Sequence, residues 1–179
     1  MHKDILKVLI TKPEIEERVK ELGGRITEDY KGKDVLMICI LRGAALFFAD
    51  LVRAVNLDVK LDFMAISSYR GKSLTSGEVR IIKDLSQPIE GQDVIIVEDI
   101  IDSGKTLNYL KNLLLQRNPA SVKVCTFLDK PERREVEIRG DYVGFSVPNE
   151  FVVGYGLDYN EKYRNIEEVS VLKASVYGG

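Results

Sequence analysis

The sequence predicts an α/β domain: a central, mostly parallel β-sheet flanked by helices. Three observations predict it. Apolar runs rich in strand-forming residues recur at Val35–Leu41 and Val94–Val97, without the polar alternation of a half-exposed strand, and Val122–Leu128 supplies another strand. The first two lead, through short polar turns, into segments with helical apolar spacing, and strand-helix alternation sets parallel strands side by side beneath helices. The 179 residues suffice for one such domain with a substantial core, spanning 1–179, and not for two independent ones.

Taken in order, Thr11-Lys12-Pro13-Glu14 reads as a helix start, with Thr11 as cap, Pro13 early in the first turn and Glu14 three positions after the cap. Ile15, Val19 and Leu22 continue one apolar face, which Gly23-Gly24 is expected to end. Val35–Leu41 is a buried strand, and after Arg42-Gly43-Ala44 a helix carries Leu46, Phe47, Phe48, Leu51 and Val52. Val59–Ser67 alternates as a strand, and a second begins at Val79 beyond a small, polar and basic stretch. Val94–Val97 is a buried central strand, and Leu107, Leu110, Leu113 and Leu114 mark the helix behind it. Val122–Leu128 leads to Asp129-Lys130-Pro131; Glu132–Glu135 reads as a solvated charge cluster. Tyr142–Phe145, Phe151–Tyr155 and Val169–Val171 are short strand-like runs, and Gly178-Gly179 a frayed end.

Composition narrows the function. With 45% hydrophobic and 30% charged residues the chain has the balance of a soluble globular protein. A net charge of −2 gives no general attraction to nucleic acid or anionic membrane, so an anionic ligand must be held by local groups and metal. Met1–Leu6 lacks the apolar core of a secretory signal and no apolar run reaches membrane-spanning length, so a cytoplasmic protein is expected. Cys39 and Cys125 lie in apolar runs, as buried free thiols do. With His2 as the one histidine, a histidine-centred zinc site or a Ser-His-Asp triad has no material.

Chemistry concentrates between Asp93 and Leu107. The strand leads through Glu98-Asp99-Ile100-Ile101-Asp102 into Ser103-Gly104-Lys105-Thr106 and a helix, which places polar groups where open α/β sheets bind ligands. Ser103 to Thr106 offer hydroxyls and successive backbone N–H groups at a helix N-terminus, a compact phosphate site. Glu98 and Asp99 suit sugar hydroxyls or a hydrated Mg²⁺. The Gly-Lys-Thr does not make a nucleotide-triphosphatase loop, because Asp99 stands where that loop needs glycine. A blander alternative has Asp102 capping the helix and the acidic pair decorating a strand end.

Val97 to Thr106 resembles the phosphoribosyl-pyrophosphate signature of the type I phosphoribosyltransferase family, in particular its hypoxanthine-guanine branch. A second matching block runs from Val147 to Tyr159, and the likeness covers most of Val35–Leu172. It implies that Glu98, Asp99, Asp102, Ser103, Gly104, Lys105 and Thr106 bind the ribose and 5′-phosphate, and that Asp102 accepts the N7 proton as N9 attacks. It implies that Arg42, Gly43 and Arg164 hold pyrophosphate, with a cis peptide between Leu41 and Arg42. Lys130 would donate to a purine 6-oxo group, Phe151 stack on the ring, the Val152 backbone read its edge, and Asp158 act at the base site and at a second Mg²⁺ through water. Glu98, Asp99 and Asp158 are thus the metal residues, Ser68 and Tyr69 open a mobile lid, and a small hood is formed by N- and C-terminal segments.

The implied reaction is purine salvage: Mg²⁺-dependent transfer from phosphoribosyl pyrophosphate to hypoxanthine or guanine, giving IMP or GMP and pyrophosphate, in a homodimer or homotetramer without nucleic acid or membrane. The alternatives are a relative acting on xanthine or uracil, including an RNA-binding regulator, or a noncatalytic nucleotide-binding module. Lys130, Phe151 and Asp158 favour the 6-oxopurine enzyme over uracil use.

Overall fold

Thr11 separates a strand from a helix. β1 (Ile5–Ile10) precedes it and α1 (Lys12–Asp29) follows, with the Glu14 carboxylate accepting the Thr11 backbone N–H at 2.8 Å. The computed structural model describes residues 2–68 and 79–178. Gly23-Gly24 do not end α1, contrary to the sequence expectation. A Cβ on Gly23 would lie 2.5 Å from the Ala54 carbonyl oxygen, so this glycine lets a second helix pack closely.

That second helix is α2 (Ala45–Ala54), after β2 (Val35–Leu41). β3 (Val59–Ser68) and β4 (Val79–Lys83) follow, then β5 (Asp93–Ile101), α3 (Lys105–Leu115), β6 (Ser121–Asp129) and β7 (Tyr142–Ser146). The six strands form one sheet in the order β4-β3-β2-β5-β6-β7, parallel except where β4 joins β3. Both faces are covered. Met37, Cys39, Ile95 and Val97 pack with Val19, Leu22, Phe47 and Leu51 of α1 and α2. Ile38, Ile40, Val94 and Ile96 pack with Leu107, Leu110 and Leu114 of α3. Burial on both sides is why β2 and β5 read as unbroken apolar runs.

A separate three-stranded antiparallel sheet joins the ends of the chain, in the order β1-β9-β8, where β8 is Val152–Val153 and β9 is Val169–Leu172. A four-residue helix, α4 (Ala174–Tyr177), follows β9 where a frayed end was expected nearby. Cys39 and Cys125 are free and buried, and burial pushes the Cys39 thiol up to about 12. Among the described residues, no helix is long and apolar enough to cross a membrane.

Candidate active site

Strand order reverses between β2 and β5: β3 lies to one side of β2 and β6 to the far side of β5. Doubly wound sheets bind ligands at the C-terminal ends of strands at such a switch point. Arg42-Gly43 leave β2 there, Glu98 and Asp99 lie near the end of β5, and Lys130 follows β6 directly. Register brings them level: Cys39 pairs with Val97, Glu98 with Thr126, and Ile101 with Asp129. β5 runs beyond the apolar Val94–Val97 and carries both carboxylates as strand residues.

Glu98 is 9% exposed and Asp99 half-buried. Burial, then the neighbouring Asp99 charge, raises the Glu98 carboxyl well above the usual carboxylate range. Burial likewise pushes Asp99 up to about 6, against the attraction of Arg164. Gly43 lies against this pair: a Cβ on it would sit 1.5 Å from Asp99 Oδ2. The Leu41–Arg42 peptide before it is cis, as the resemblance implies.

Asp102, Ser103, Gly104 and Thr106 of the turn line a cavity of about 170 Å³ together with Glu98, Ile100 and Leu107. Gly104 is the N-cap of α3, at a φ of +83° that favours glycine, so Asp102 does not cap the helix. A Cβ on Gly104 would also lie 2.6 Å from Ile138 Cγ2, because the segment after β6 packs over the turn. Glu132–Glu135 is therefore not a purely solvated cluster. Beyond the 3₁₀ turn Pro131–Arg133, Glu135 pairs with Lys105 and its N–H donates to the Ser103 carbonyl at 2.9 Å. Arg134 is half-buried, bonding the Asp129 carboxylate and the carbonyls of Ile138 and Asp102. Arg133 Nε approaches Asp102 Oδ1 to 2.5 Å, without the angle of a hydrogen bond.

Lys130 is only 8% exposed; its Nζ donates to the Glu150 carbonyl at 2.7 Å, and burial pulls its pKa down. That carbonyl belongs to the residue that precedes Phe151 and the buried Val152 in the chain. Asp158, Glu161 and Arg164 gather near Arg42. Arg164 lies 2.9 Å from Asp158 Oδ1 and donates to the Gly156 carbonyl at 2.7 Å, and Arg42 pairs with Glu161 at 2.7 Å. A Cβ on Gly156 would fall 2.1 Å from the Gly43 carbonyl oxygen, which fixes this segment against the loop after β2. Sequence reading missed Glu161, Arg133, Arg134 and Glu135. Their signal was charge alone, which surface residues share.

Of the expected lid, Tyr69 lies outside the described residues, and Ser68 is described only as the last backbone position of β3. A larger hollow of about 740 Å³ beside α1 and α2, lined by Ile15, Val19, Leu46 and Tyr155 among others, contains none of the site residues above. Among the described residues no three His, Cys, Asp or Glu side chains are grouped to hold a metal. Two adjoining carboxylates whose burial leaves their charge poorly compensated nevertheless suit Mg²⁺, which binds through one or two carboxylates, water and ligand phosphates.

Residues 8–160 match the model of the phosphoribosyl transferase domain. The chain is 52% identical over 177 residues to the bifunctional protein TilS/HprT of Listeria monocytogenes serotype 4b, covering 99% of this chain and 27% of that one. The chain thus spans about a quarter of the length of that relative. It is 50% identical over 177 residues to a hypoxanthine-guanine phosphoribosyltransferase of Streptococcus thermophilus, covering 99% and 98% of the two chains. A crystal structure of a hypoxanthine phosphoribosyltransferase from Staphylococcus aureus superposes with a TM-score of 0.96 at 46% identity, covering 100% of this chain and 97% of the other.

Proposed function

Because this chain belongs to the phosphoribosyltransferase family, in its hypoxanthine-guanine branch, we propose that it transfers the 5-phosphoribosyl group of phosphoribosyl pyrophosphate to hypoxanthine or guanine, releasing pyrophosphate and IMP or GMP. The observation that carries this reading is the meeting, at the C-terminal end of one sheet, of an adjoining carboxylate pair with Glu98 buried, a small-residue turn at a helix N-terminus and a buried lysine bonded to the carbonyl that precedes Phe151. Each suits one part of the substrates. The N–H groups from Ser103 to Thr106 would receive the 5′-phosphate and Glu98-Asp99 the ribose hydroxyls. Arg42, Gly43 and Arg164 would retain pyrophosphate, and Glu161 would release Arg42 as it binds.

Asp102 would accept the N7 proton while N9 displaces pyrophosphate at C1. Arg133 beside it would hold its carboxylate in place. Mg²⁺ held by Glu98 and Asp99, with Asp158 acting through water, would neutralise charge on the departing pyrophosphate. Ser68 and Tyr69 would open a lid that excludes water. The three-stranded sheet would serve as the base-binding hood within a single 1–179 domain, supported by the position of Phe151 and Val152 at β8. A homodimer or homotetramer is supported by exposed apolar residues on neighbouring strands, Leu61, Phe63 and Ile82, at 47%, 38% and 68% exposure. A cytoplasmic setting fits this salvage role.

Lys130 supplies the test of base choice. Its ammonium can exchange the Glu150 carbonyl for a purine 6-oxo acceptor, whereas adenine presents an amino donor there. A polar group left unpaired in a closed site costs about 1–3 kcal/mol, so hypoxanthine is expected to exceed adenine in kcat/KM by at least about tenfold. Lys130→Met should erase most of that preference. Equal kcat/KM for the two purines in the unaltered protein would overturn the reading.

Gly43→Ala is expected to lower transfer by about a hundredfold. The added methyl occupies the position of the Asp99 carboxylate, and displacements near 1 Å cost on that order. Steady-state rates on protein shown folded by circular dichroism would check this.

A further inference from the structure

Phe151 is not alone on its side of the molecule. The Tyr177 ring lies over it, with centroids 4.6 Å apart and planes 24° from parallel, while Tyr159 meets it edge-on at 5.5 Å and 89°. Tyr159 and Tyr177 also meet edge-to-face, at 6.5 Å and 67°, which closes a three-ring cluster. Phe151 precedes β8, and its carbonyl accepts the Leu172 N–H at 2.9 Å; that bond fixes the backbone and leaves packing to set the plane of the ring.

The two sides of the three-stranded sheet have different surroundings. Val176, next to Tyr177, packs with Ile5, Val153 and Leu172 on one side of the three-stranded sheet, and Phe151 rests against the same cluster. Val152, Val169 and Val171 belong to the main core on the other side, where Ile100, beside Asp99, also packs. Tyr177 therefore lies on the side of the sheet that also carries Phe151, away from the main core. Its ring covers one face of Phe151, so a base would stack on the other.

Resting on the reading of Phe151 as the purine-stacking residue, we infer that Tyr177 is a positioning residue that backs Phe151 and holds its ring parallel to the incoming 6-oxopurine. The stack would then run tyrosine, phenylalanine, base. A ring already fixed in its bound orientation loses less freedom when the base arrives, so the effect falls on base affinity. Phosphoribosyl pyrophosphate binds at other residues, and the chemical step does not involve the ring. The contacts of Tyr177 with Phe151 and Tyr159 are ring contacts, so phenylalanine should replace it.

The test compares Tyr177→Ala and Tyr177→Phe with the unaltered protein, measuring KM for hypoxanthine, KM for phosphoribosyl pyrophosphate and kcat. Tyr177→Ala is expected to raise the hypoxanthine KM about two- to tenfold, the equilibrium equivalent of one aromatic pair. The other two constants should stay unchanged, and Tyr177→Phe should behave as the unaltered protein. An unchanged hypoxanthine KM in Tyr177→Ala would overturn the inference. So would a lowered one, which would mean that Tyr177 competes with the base, or an equal loss for both substrates, which would mean general disorder. Inactivity of the unaltered protein with every base would instead overturn the functional reading itself, so the two failures are distinct.

Discussion

Asp102→Asn is expected to lower the single-turnover rate of phosphoribosyl transfer by about 10²- to 10⁴-fold, the usual worth of general acid-base assistance. The substitution preserves size, but an amide cannot take the proton that N7 must lose. Asp102 stands between β5 and the Ser103–Thr106 turn, with Arg133 Nε at 2.5 Å, and it takes no part in capping α3. Helix capping therefore does not account for its position. Binding of both substrates should change far less than the rate. Single-turnover measurements with both substrates saturating separate the two, and an unchanged rate would remove Asp102 from the role of proton acceptor.

Replacing the carboxylate pair, Glu98→Gln with Asp99→Asn, is expected to have opposite effects on binding and on stability. Affinity for phosphoribosyl pyrophosphate in Mg²⁺ should fall about 10- to 100-fold, since hydrogen bonds to charged groups contribute about 1.5–3 kcal/mol each. The ligand-free protein should become more stable. Both carboxyls are raised in the folded chain, mainly by burial, Asp99 to about 6. The folded state therefore binds more protons than the unfolded state above the ordinary carboxylate pKa of about 4. Stability falls as pH rises through that window, and at neutral pH the charged pair is a net cost. The double variant should raise Tm on the order of 3 °C at pH 7.5, the shift that about 1 kcal/mol produces in a chain of this size. The difference should shrink as pH falls to about 4 and vanish below it, where both carboxyls are protonated in either state. Calorimetric titration and thermal melts, each without and with ligand, would check both effects; a double variant that binds normally would detach the pair from the sugar.

The sheet was legible because its central strands announce themselves. Val35–Leu41 and Val94–Val97 are buried on both faces, and uninterrupted apolar character is what that burial demands. The ends of elements were less legible, for reasons that differ by place. Gly23 is a packing residue inside α1, and only the neighbouring Ala54 reveals that it does not stop the helix. β1 mixes buried and exposed residues without strict alternation and pairs with β9, more than 150 residues away, so no local pattern marks it.

The site was legible where one stretch of chain carries it. Glu98 to Thr106 forms a continuous strand-turn-helix whose chemistry can be read in order. The parts assembled from several segments were not. Arg133 and Glu135 read as solvated charge because nothing local shows that the 3₁₀ turn folds them over Asp102 and Lys105. Glu161 likewise acquires its role only when Gly156 brings its segment against the loop carrying Arg42. Tyr177 sits at the end of the chain, in a helix too short to announce itself by periodicity.

On the reading proposed above, the C-terminal end of one sheet joins a phosphoribosyl pyrophosphate site to a 6-oxopurine site. The most direct test of that reading is Mg²⁺-dependent release of pyrophosphate from phosphoribosyl pyrophosphate, measured in parallel with hypoxanthine, guanine, xanthine, adenine and uracil. Release is expected with hypoxanthine and guanine, with IMP and GMP as the matching products, and at least about tenfold less with adenine. Release that no base accelerates, or release driven equally by uracil, would contradict the account.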